Sequence, residues 1–198
     1  MSLAILAVVA MSSQAKLDPA YIIQARYPAG SIKQDPLAPG GNSESSNMPK
    51  LMTSKARLQK TLGVELTPTD AGVNVRIFNA SNGEEWLRAM DGNMMGWLEA
   101  LDGKDWKPIE YHMFADCGNS YHRVVLPPNY EWTFQRIVPK GNWQTQVRFV
   151  VLEKDKTVTS QPIIMSIPPT RTKLNPAQGT QWQLSMKGYP AIQPKQTG

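Results

Sequence analysis

The sequence predicts an all-β protein, an antiparallel β-sandwich of the immunoglobulin or fibronectin type with low-order arms at both ends. Roughly seven to nine strand-like runs occur between residues 63 and 170, with turn residues about every 8–12 positions. Twelve of the 16 aromatic residues lie between Phe78 and Phe149. No long helical pattern interrupts the runs, which argues against a fold of alternating strands and helices. A small closed barrel is the alternative architecture.

Each predicted strand is a run of β-branched, aromatic or alternating residues bounded by turn residues. The runs cover residues 72–78, 85–90, 96–101, 106–114, 121–126, 130–135, 143–152, 157–160 and 163–167. Asn82-Gly83 lies between the first two runs, and Asn-Gly between strands is a strong signal of a β-hairpin. We therefore expect 72–78 to pair with 85–90. The residues from Glu153 to Lys156 are expected to close another hairpin.

The run 143–152 shows how one strand is expected to divide its two faces. Its odd-numbered positions are Trp143, Thr145, Val147, Phe149 and Val151, whereas Gln144, Gln146 and Arg148 alternate with them. Successive side chains of a strand point to opposite faces. The pattern therefore predicts one buried face and one face in water.

The amino terminus carries an uncharged apolar run, Leu3 to Met11, followed by Ser13-Gln14-Ala15. A membrane span needs about 20 apolar residues, so this run is too short for one. Its length and the small residues that follow are typical of a secretory signal peptide, although a basic segment before the run is missing. We expect residues 1–15 to be a signal peptide and the protein to be exported, to the periplasm or the cell exterior. A short buried strand or helix is the alternative.

Residues 16–62 and 171–198 are predicted to be arms of low order because proline, glycine, serine and glutamine are frequent there. A short helix is possible at 49–60. Residues 180–186 (TQWQLSM) are predicted to form a strand that adds to the edge of a sheet, in this chain or in a partner.

The net charge of +5 is unevenly distributed along the chain. Residues 16–62 hold seven basic and three acidic residues, and 171–198 hold four basic and no acidic residues. The predicted domain, 63–170, holds ten basic and thirteen acidic residues. No basic stripe on the fold and no nucleic-acid-binding motif accompanies the charge, so no nucleic-acid partner is expected. The basic arms are expected to contact an anionic surface or a partner, or only to improve solubility.

The residues best suited to metal binding are His112, Cys117 and His122, in one short segment. A thiolate and imidazoles are ligands for copper or zinc. The same residues also suit a cysteine–histidine catalytic pair. The favoured interpretation is a strand connection with Cys117 as a small buried side chain, because no established catalytic or metal-binding motif is present. No cofactor and no enzymatic activity are therefore expected.

Aromatic side chains provide the other candidate site. Trp132 and Trp143 are predicted to lie in the core because they alternate with other apolar residues. Exposed aromatic rings stack on sugars or anchor protein interfaces. The candidate binding residues are Trp86, Trp97, Trp106, Tyr111, Tyr121 and Arg123.

The sequence thus predicts an exported, non-catalytic binding module with a protein or polysaccharide partner. One alternative is a structural or accessory subunit whose arms become ordered on its neighbours in an assembly. The other is a metalloprotein or enzyme that uses His112, Cys117 and His122.

Overall fold

A computed structural model describes residues 23–38, 45–52, 61–111, 120–153 and 156–169. Strands make up 61% of these residues, and no helix occurs among them, so the all-β prediction is confirmed. It follows that no described segment is a helix of the length and apolarity needed to cross a membrane. The predicted signal peptide and the tail 171–198 lie outside the described residues.

The described residues form fourteen strands, many of which follow the predicted runs. They are β1 (Ile23–Gln24), β2 (Lys50–Leu51), β3 (Leu62–Thr69), β4 (Gly72–Asn79), β5 (Glu85–Met90), β6 (Asn93–Met94), β7 (Gly96–Asp102), β8 (Asp105–Pro108), β9 (Glu110–Tyr111), β10 (Tyr121–Leu126), β11 (Tyr130–Ile137), β12 (Trp143–Glu153), β13 (Lys156–Thr159) and β14 (Ile163–Ile167). Strands β5, β10 and β14 coincide with their predicted ranges.

Two antiparallel sheets contain most of these strands. The larger sheet has the order β10-β5-β12-β7-β8, with β13 and β14 also paired to β12 and β6 paired to β5. The smaller sheet has the order β2-β11-β4-β3. Strands β1 and β9 form a separate parallel pair. The chain therefore crosses between the sheets several times, and most of its pairings join residues far apart in sequence.

The hairpin predicted at Asn82-Gly83 is wrong. Strand β4 pairs with β3 on one edge and with β11 on the other, so it has no edge left for β5. Strand β5 pairs with β10 in the other sheet. The buried Asn79 side chain donates to the carbonyl oxygens of Gly83 (2.7 Å) and Leu126 (2.8 Å) and fixes the crossing between sheets. The hairpin predicted after Glu153 is present, with Glu153 opposite Lys156.

Strand β3 lies at the boundary of the predicted amino-terminal arm and was not among the predicted runs. Its sequence signal is weakened by Gly63 and Pro68, which both disfavour strands. The Phe78 ring occupies the space beside Gly63, where a Cβ atom would lie 2.2 Å from it. Pro68 is tolerated because β3 is an edge strand. The helix considered at 49–60 instead begins as strand β2, and 53–60 lie outside the described residues.

Tyr27, from the segment predicted to be a low-order arm, lies between the two sheets. Its ring meets Phe149 of the larger sheet at 4.8 Å between centroids and Phe134 of the smaller sheet at 5.4 Å, both edge-on. Tyr27 is fully buried, as are Ala25 and Ala29 beside it. This short segment has little regular secondary structure, yet it forms part of the core. Trp132 is buried and the half-buried Trp143 packs against the core, as predicted.

A buried polar network joins this segment to both sheets. Glu110 Oε2 accepts hydrogen bonds from the Tyr27 hydroxyl (2.5 Å) and the Leu98 backbone N–H (3.0 Å). Glu110 Oε1 accepts from Nε (2.9 Å) and Nη2 (2.6 Å) of Arg136. Burial, reinforced by the Glu110 carboxylate, raises the pKa of Tyr27 well above its usual value. The phenol is therefore a neutral donor at physiological pH.

Candidate functional site

The structure divides the predicted binding residues into two groups within the larger sheet. Trp97 and Trp106 lie on β7 and β8, whereas Trp86, Tyr121 and Arg123 lie on the neighbouring strands β5 and β10. Tyr111 ends β9, and its side chain lies outside the described part of the chain, as do His112 and Cys117.

Trp106, of the first group, belongs to a row of side chains that crosses four strands, on the face opposite the core residues Ala100 and Val147. Strand register places Leu101 opposite Trp106 and Gln146 opposite Ile164, and the β7–β12 register brings Gln146 beside Leu101. We call these four residues the Trp106 row. Trp106 and Leu101 are half-buried, Gln146 is exposed, and Ile164 is 66% exposed. The row therefore presents a partly apolar strip to solvent.

An ion pair next to the row fixes its aromatic end. Arg148 contacts Glu99 Oε2 through Nε (2.8 Å) and Nη2 (2.7 Å), and its guanidinium lies 4.1 Å from the centroid of the Trp106 ring. The indole N–H of Trp97 donates to the other Glu99 oxygen (3.0 Å). Charge-assisted and cation–π contacts of this kind hold a side chain in one orientation. Trp106 is thus preorganised, with the guanidinium stacked on it.

Trp97 is poorly placed to stack on a ligand. It is only 7% exposed, and its one polar atom is already bonded to Glu99. Its role in the described structure is to orient the Glu99 carboxylate toward Arg148.

The second group is occupied by the chain's own amino-terminal segment. Arg123 donates to Asp35 through its backbone N–H and Nε (2.9 Å each) and through Nη2 (2.6 Å), and its guanidinium lies 5.0 Å from the centroid of the Trp86 ring. Burial opposes ionisation of Asp35, but the hydrogen bonds from Arg123 and from the Leu37 N–H lower its pKa. Asp35 is therefore a carboxylate that holds Arg123 against its own domain.

The same segment closes the outer edge of β10. Ser31 Oγ accepts from the backbone N–H of Val125 (3.0 Å), as Asp35 does from that of Arg123. An unprotected strand edge is a template for pairing with another chain, and side-chain acceptors remove that opportunity. The edge of β10 is thus covered by residues 31–35.

His122 is the one member of the predicted metal site whose position is described. It is buried, its Nδ1 lies 3.1 Å from the Ser120 carbonyl oxygen, and its Nε2 has no hydrogen-bond partner among the residues that the structure describes. Among the described residues, no group of three or more histidine, cysteine, aspartate or glutamate side chains is arranged to hold a metal ion. The predicted set with His112 and Cys117 remains a prediction, because those two residues are not described.

Acid is expected to destabilise the protein through His122. Burial lowers the pKa of His122, although the Ser120 carbonyl and the carboxylates of Asp35 and Asp91 act in the opposite direction. Below the usual histidine pKa of about 6.5, the unfolded chain therefore binds more protons than the folded one. The free energy of unfolding consequently decreases as the pH is lowered. One such proton contributes at most about 1.4 kcal/mol per pH unit.

Urea unfolding between pH 7.5 and 5 checks this expectation. In the His122→Leu variant, the loss of stability on acidification should be smaller than in the parent protein. An identical pH dependence in the two proteins would show that His122 does not titrate on unfolding in this range.

Four residues that organise the domain were missed in the sequence: Tyr27, Asp35, Glu110 and Arg136. Two of them lie in a proline- and glycine-rich segment, Glu110 lies in the strand-like run 106–114, and Arg136 directly follows the run 130–135. The available signal was Glu110 between Ile109 and Tyr111, because a lone carboxylate among apolar neighbours has to find a buried partner.

Comparisons with protein-family models, with curated proteins and with solved structures gave no match.

Proposed function

We propose that the protein is an exported, non-catalytic module of the immunoglobulin-like sandwich type that binds another protein through the Trp106 row. The observation that carries the proposal is the exposed apolar end of the row, Ile164, on a strand that has no charged residue. Export rests on the apolar run 3–11, and the sandwich type on the packing of Tyr27 between two sheets.

The composition of the surface favours a protein partner over a polysaccharide. Sugar-binding sheet faces rely on exposed aromatic rings. The large apolar side chains that are exposed in the described residues are all non-aromatic: Ile32, Leu37, Met48, Leu51, Ile137 and Ile164. Trp106 has a guanidinium stacked on its ring, and Trp97 is buried. Aliphatic side chains bury well against protein surfaces, whereas they offer a sugar ring little to stack on.

The surroundings of the row resemble the anatomy of a protein interface. Such interfaces combine a small apolar centre with a polar rim that makes hydrogen bonds. Here Leu101, Trp106 and Ile164 supply apolar contact area, and Gln146 of the row and its neighbour Gln144 supply exposed hydrogen-bonding groups on β12. The Glu99–Arg148 pair is already formed, so a partner would not have to order these two side chains.

Introducing a charge at the exposed end of the row tests the proposal. A glutamate buried against an apolar partner surface is a desolvated charge without a counter-charge, so Ile164→Glu should weaken binding at least tenfold. Ile137→Glu is the matched control, because Ile137 is equally exposed (68%) but belongs to the smaller sheet. Tagged full-length variants are purified from the source cells, and the proteins that accompany them are quantified.

The proposal predicts that accompanying proteins are lost from Ile164→Glu and kept by Ile137→Glu. Equal recovery with both variants would contradict it. Affinity electrophoresis in gels containing xylan, laminarin or soluble chitin derivatives tests the alternative of a polysaccharide partner. If a polysaccharide retards the protein and the Trp106→Ala variant is not retarded, the row binds a polysaccharide and not a protein.

A further inference from the structure

The free edge of the larger sheet at β14 has the features of a site for strand addition. Among the described residues, the only strand paired with β14 is β12, from Ile163 opposite Val147 to Ile167 opposite Trp143, and the Gly141 N–H also donates to the Ser166 carbonyl oxygen (3.1 Å). Natural proteins usually protect such edges with charges, bulges or covering segments. The stretch from Gln161 to Pro169 has no charged residue, and β14 has no proline between its ends.

The inner face of β14 is also incompletely covered. Ile163 and Met165 pack against the core but are only partly buried, whereas Ile167 at the end of the strand is fully buried. An additional strand along this edge would bury the two partly exposed side chains and lengthen the core. The edge is thus complementary to a strand with apolar side chains on one face and neutral polar side chains on the other.

Residues 180–186 have this pattern. Thr180, Trp182, Leu184 and Met186 alternate with Gln181, Gln183 and Ser185. The segment repeats the alternation of β12 itself, where Trp143 and Thr145 face the core side and Gln144 and Gln146 face solvent. With Trp182 and Leu184 directed inward, its glutamines would continue the polar surface formed by Gln144, Gln146 and Ser166. No charge would be buried on either face.

Charge also brings this segment toward the domain. Residues 171–198 carry four basic and no acidic residues, whereas 63–170 carry three more acidic than basic ones. Opposite net charges raise the rate of encounter between the two parts.

The connection between β14 and the segment favours transfer to another molecule. Pro168 and Pro169 follow β14 directly, and Pro176 lies further on. Each proline fixes φ and biases the preceding residue toward extended backbone. A hairpin back onto β14 would need a 12-residue connection, 168–179, that starts with two prolines, and hairpin loops usually have two to five residues. The two prolines therefore disfavour a tight hairpin that would return the segment to the edge of its own β14.

We propose that the free edge of β14 binds residues 180–186 of a second copy of this chain by strand addition. This inference rests on the proposed function, and it identifies the protein partner as a second copy of this chain. Each copy then donates one strand and accepts one, so the contact joins unlike surfaces and builds a chain or ring of subunits. Backbone hydrogen bonds provide affinity, and the alternation of Trp182 and Leu184 with glutamines fixes which face is buried.

Crosslinking between two different full-length variants tests the proposal. Both carry Cys117→Ser; one has Ser166→Cys on β14, and the other, extended by a tag, has Gln183→Cys. After mixing, a short bismaleimide should join the two chains. Gln135→Cys, an exposed position on β11 of the smaller sheet, replaces Ser166→Cys as the control and should give only background. Adding Trp182→Glu should lower the yield at least tenfold, whereas Gln181→Glu on the other face should lower it less than threefold.

Two results would overturn the inference. If the mixture gives no joined product, but a single chain carrying both Ser166→Cys and Gln183→Cys closes on itself, the segment binds its own domain. If neither experiment gives a product, the edge does not bind this segment. Neither result decides the proposed function. The comparison of Ile164→Glu with Ile137→Glu tests that function separately, because it detects any protein partner at the Trp106 row.

Discussion

Replacing Glu110 with alanine is expected to lower the free energy of unfolding by about 3–5 kcal/mol, because it leaves a buried charge without its partner. Glu110 and Arg136 are both largely buried, and Glu110 also accepts hydrogen bonds from Tyr27 and from the Leu98 N–H. The substitution therefore removes the acceptor of four donor groups at once. Urea unfolding of the full chain, followed by far-ultraviolet circular dichroism, measures the change.

The double variant Glu110→Leu, Arg136→Met is the control for this prediction. Replacing both ions with apolar side chains of similar size removes the unpaired charge, so it should cost much less than Glu110→Ala. A loss below about 1 kcal/mol for Glu110→Ala would mean that the network does not hold the sheets together. If the double variant is as unstable as the single one, the destabilisation comes from lost packing rather than from the unpaired arginine.

Replacing Tyr27 with alanine is expected to cost a similar amount, about 3–5 kcal/mol, because it removes a large buried ring and leaves a cavity. The ring contacts Phe134 and Phe149, one from each sheet, and the Arg136 guanidinium lies 5.0 Å from its centroid. The same unfolding experiment measures the effect. Tyr27→Phe keeps the ring and removes one hydrogen bond to a charged group, so about 1.5–3 kcal/mol is expected for it.

Ile32→Ala is the matched control in the same segment, since Ile32 is half-exposed and should change stability by no more than about 0.5 kcal/mol. If Tyr27→Ala were as mild as Ile32→Ala, residues 25–29 would not belong to the core.

The strands themselves were accessible from the sequence because alternation and turn residues are local signals. Strand β5 illustrates this, with Glu85 and Met90 as its predicted and observed ends. The partners of the strands were not accessible in the same way. Asn82-Gly83 suggested a hairpin, but whether β4 can pair with β5 depends on whether β3 and β11 occupy its two edges. Pairing is decided by competition between segments far apart in sequence, which no local pattern contains.

The candidate site was predictable only in part. The tryptophans were correctly singled out as strand residues, but their exposure depends on neighbours that the sequence does not place. The guanidinium of Arg148, 42 positions further along the chain, lies over the Trp106 ring, and the guanidinium of Arg123 lies over the Trp86 ring. The packing of Tyr27 was hidden because Pro28 and Gly30 indicate irregular backbone, and irregular backbone can still be buried. Composition thus predicted the local conformation of this segment and not its location.

The most direct test of a protein-binding surface at the Trp106 row is position-specific photocrosslinking in the source cells. A benzophenone amino acid replaces Gln146 in the full-length protein, and in a second strain it replaces Gln135, which is also exposed but lies on the smaller sheet. We expect irradiation to join a protein to position 146 and not to position 135, and Ile164→Glu to abolish the product. Equal products at both positions, or none at 146, would contradict the assignment of this face as the binding surface.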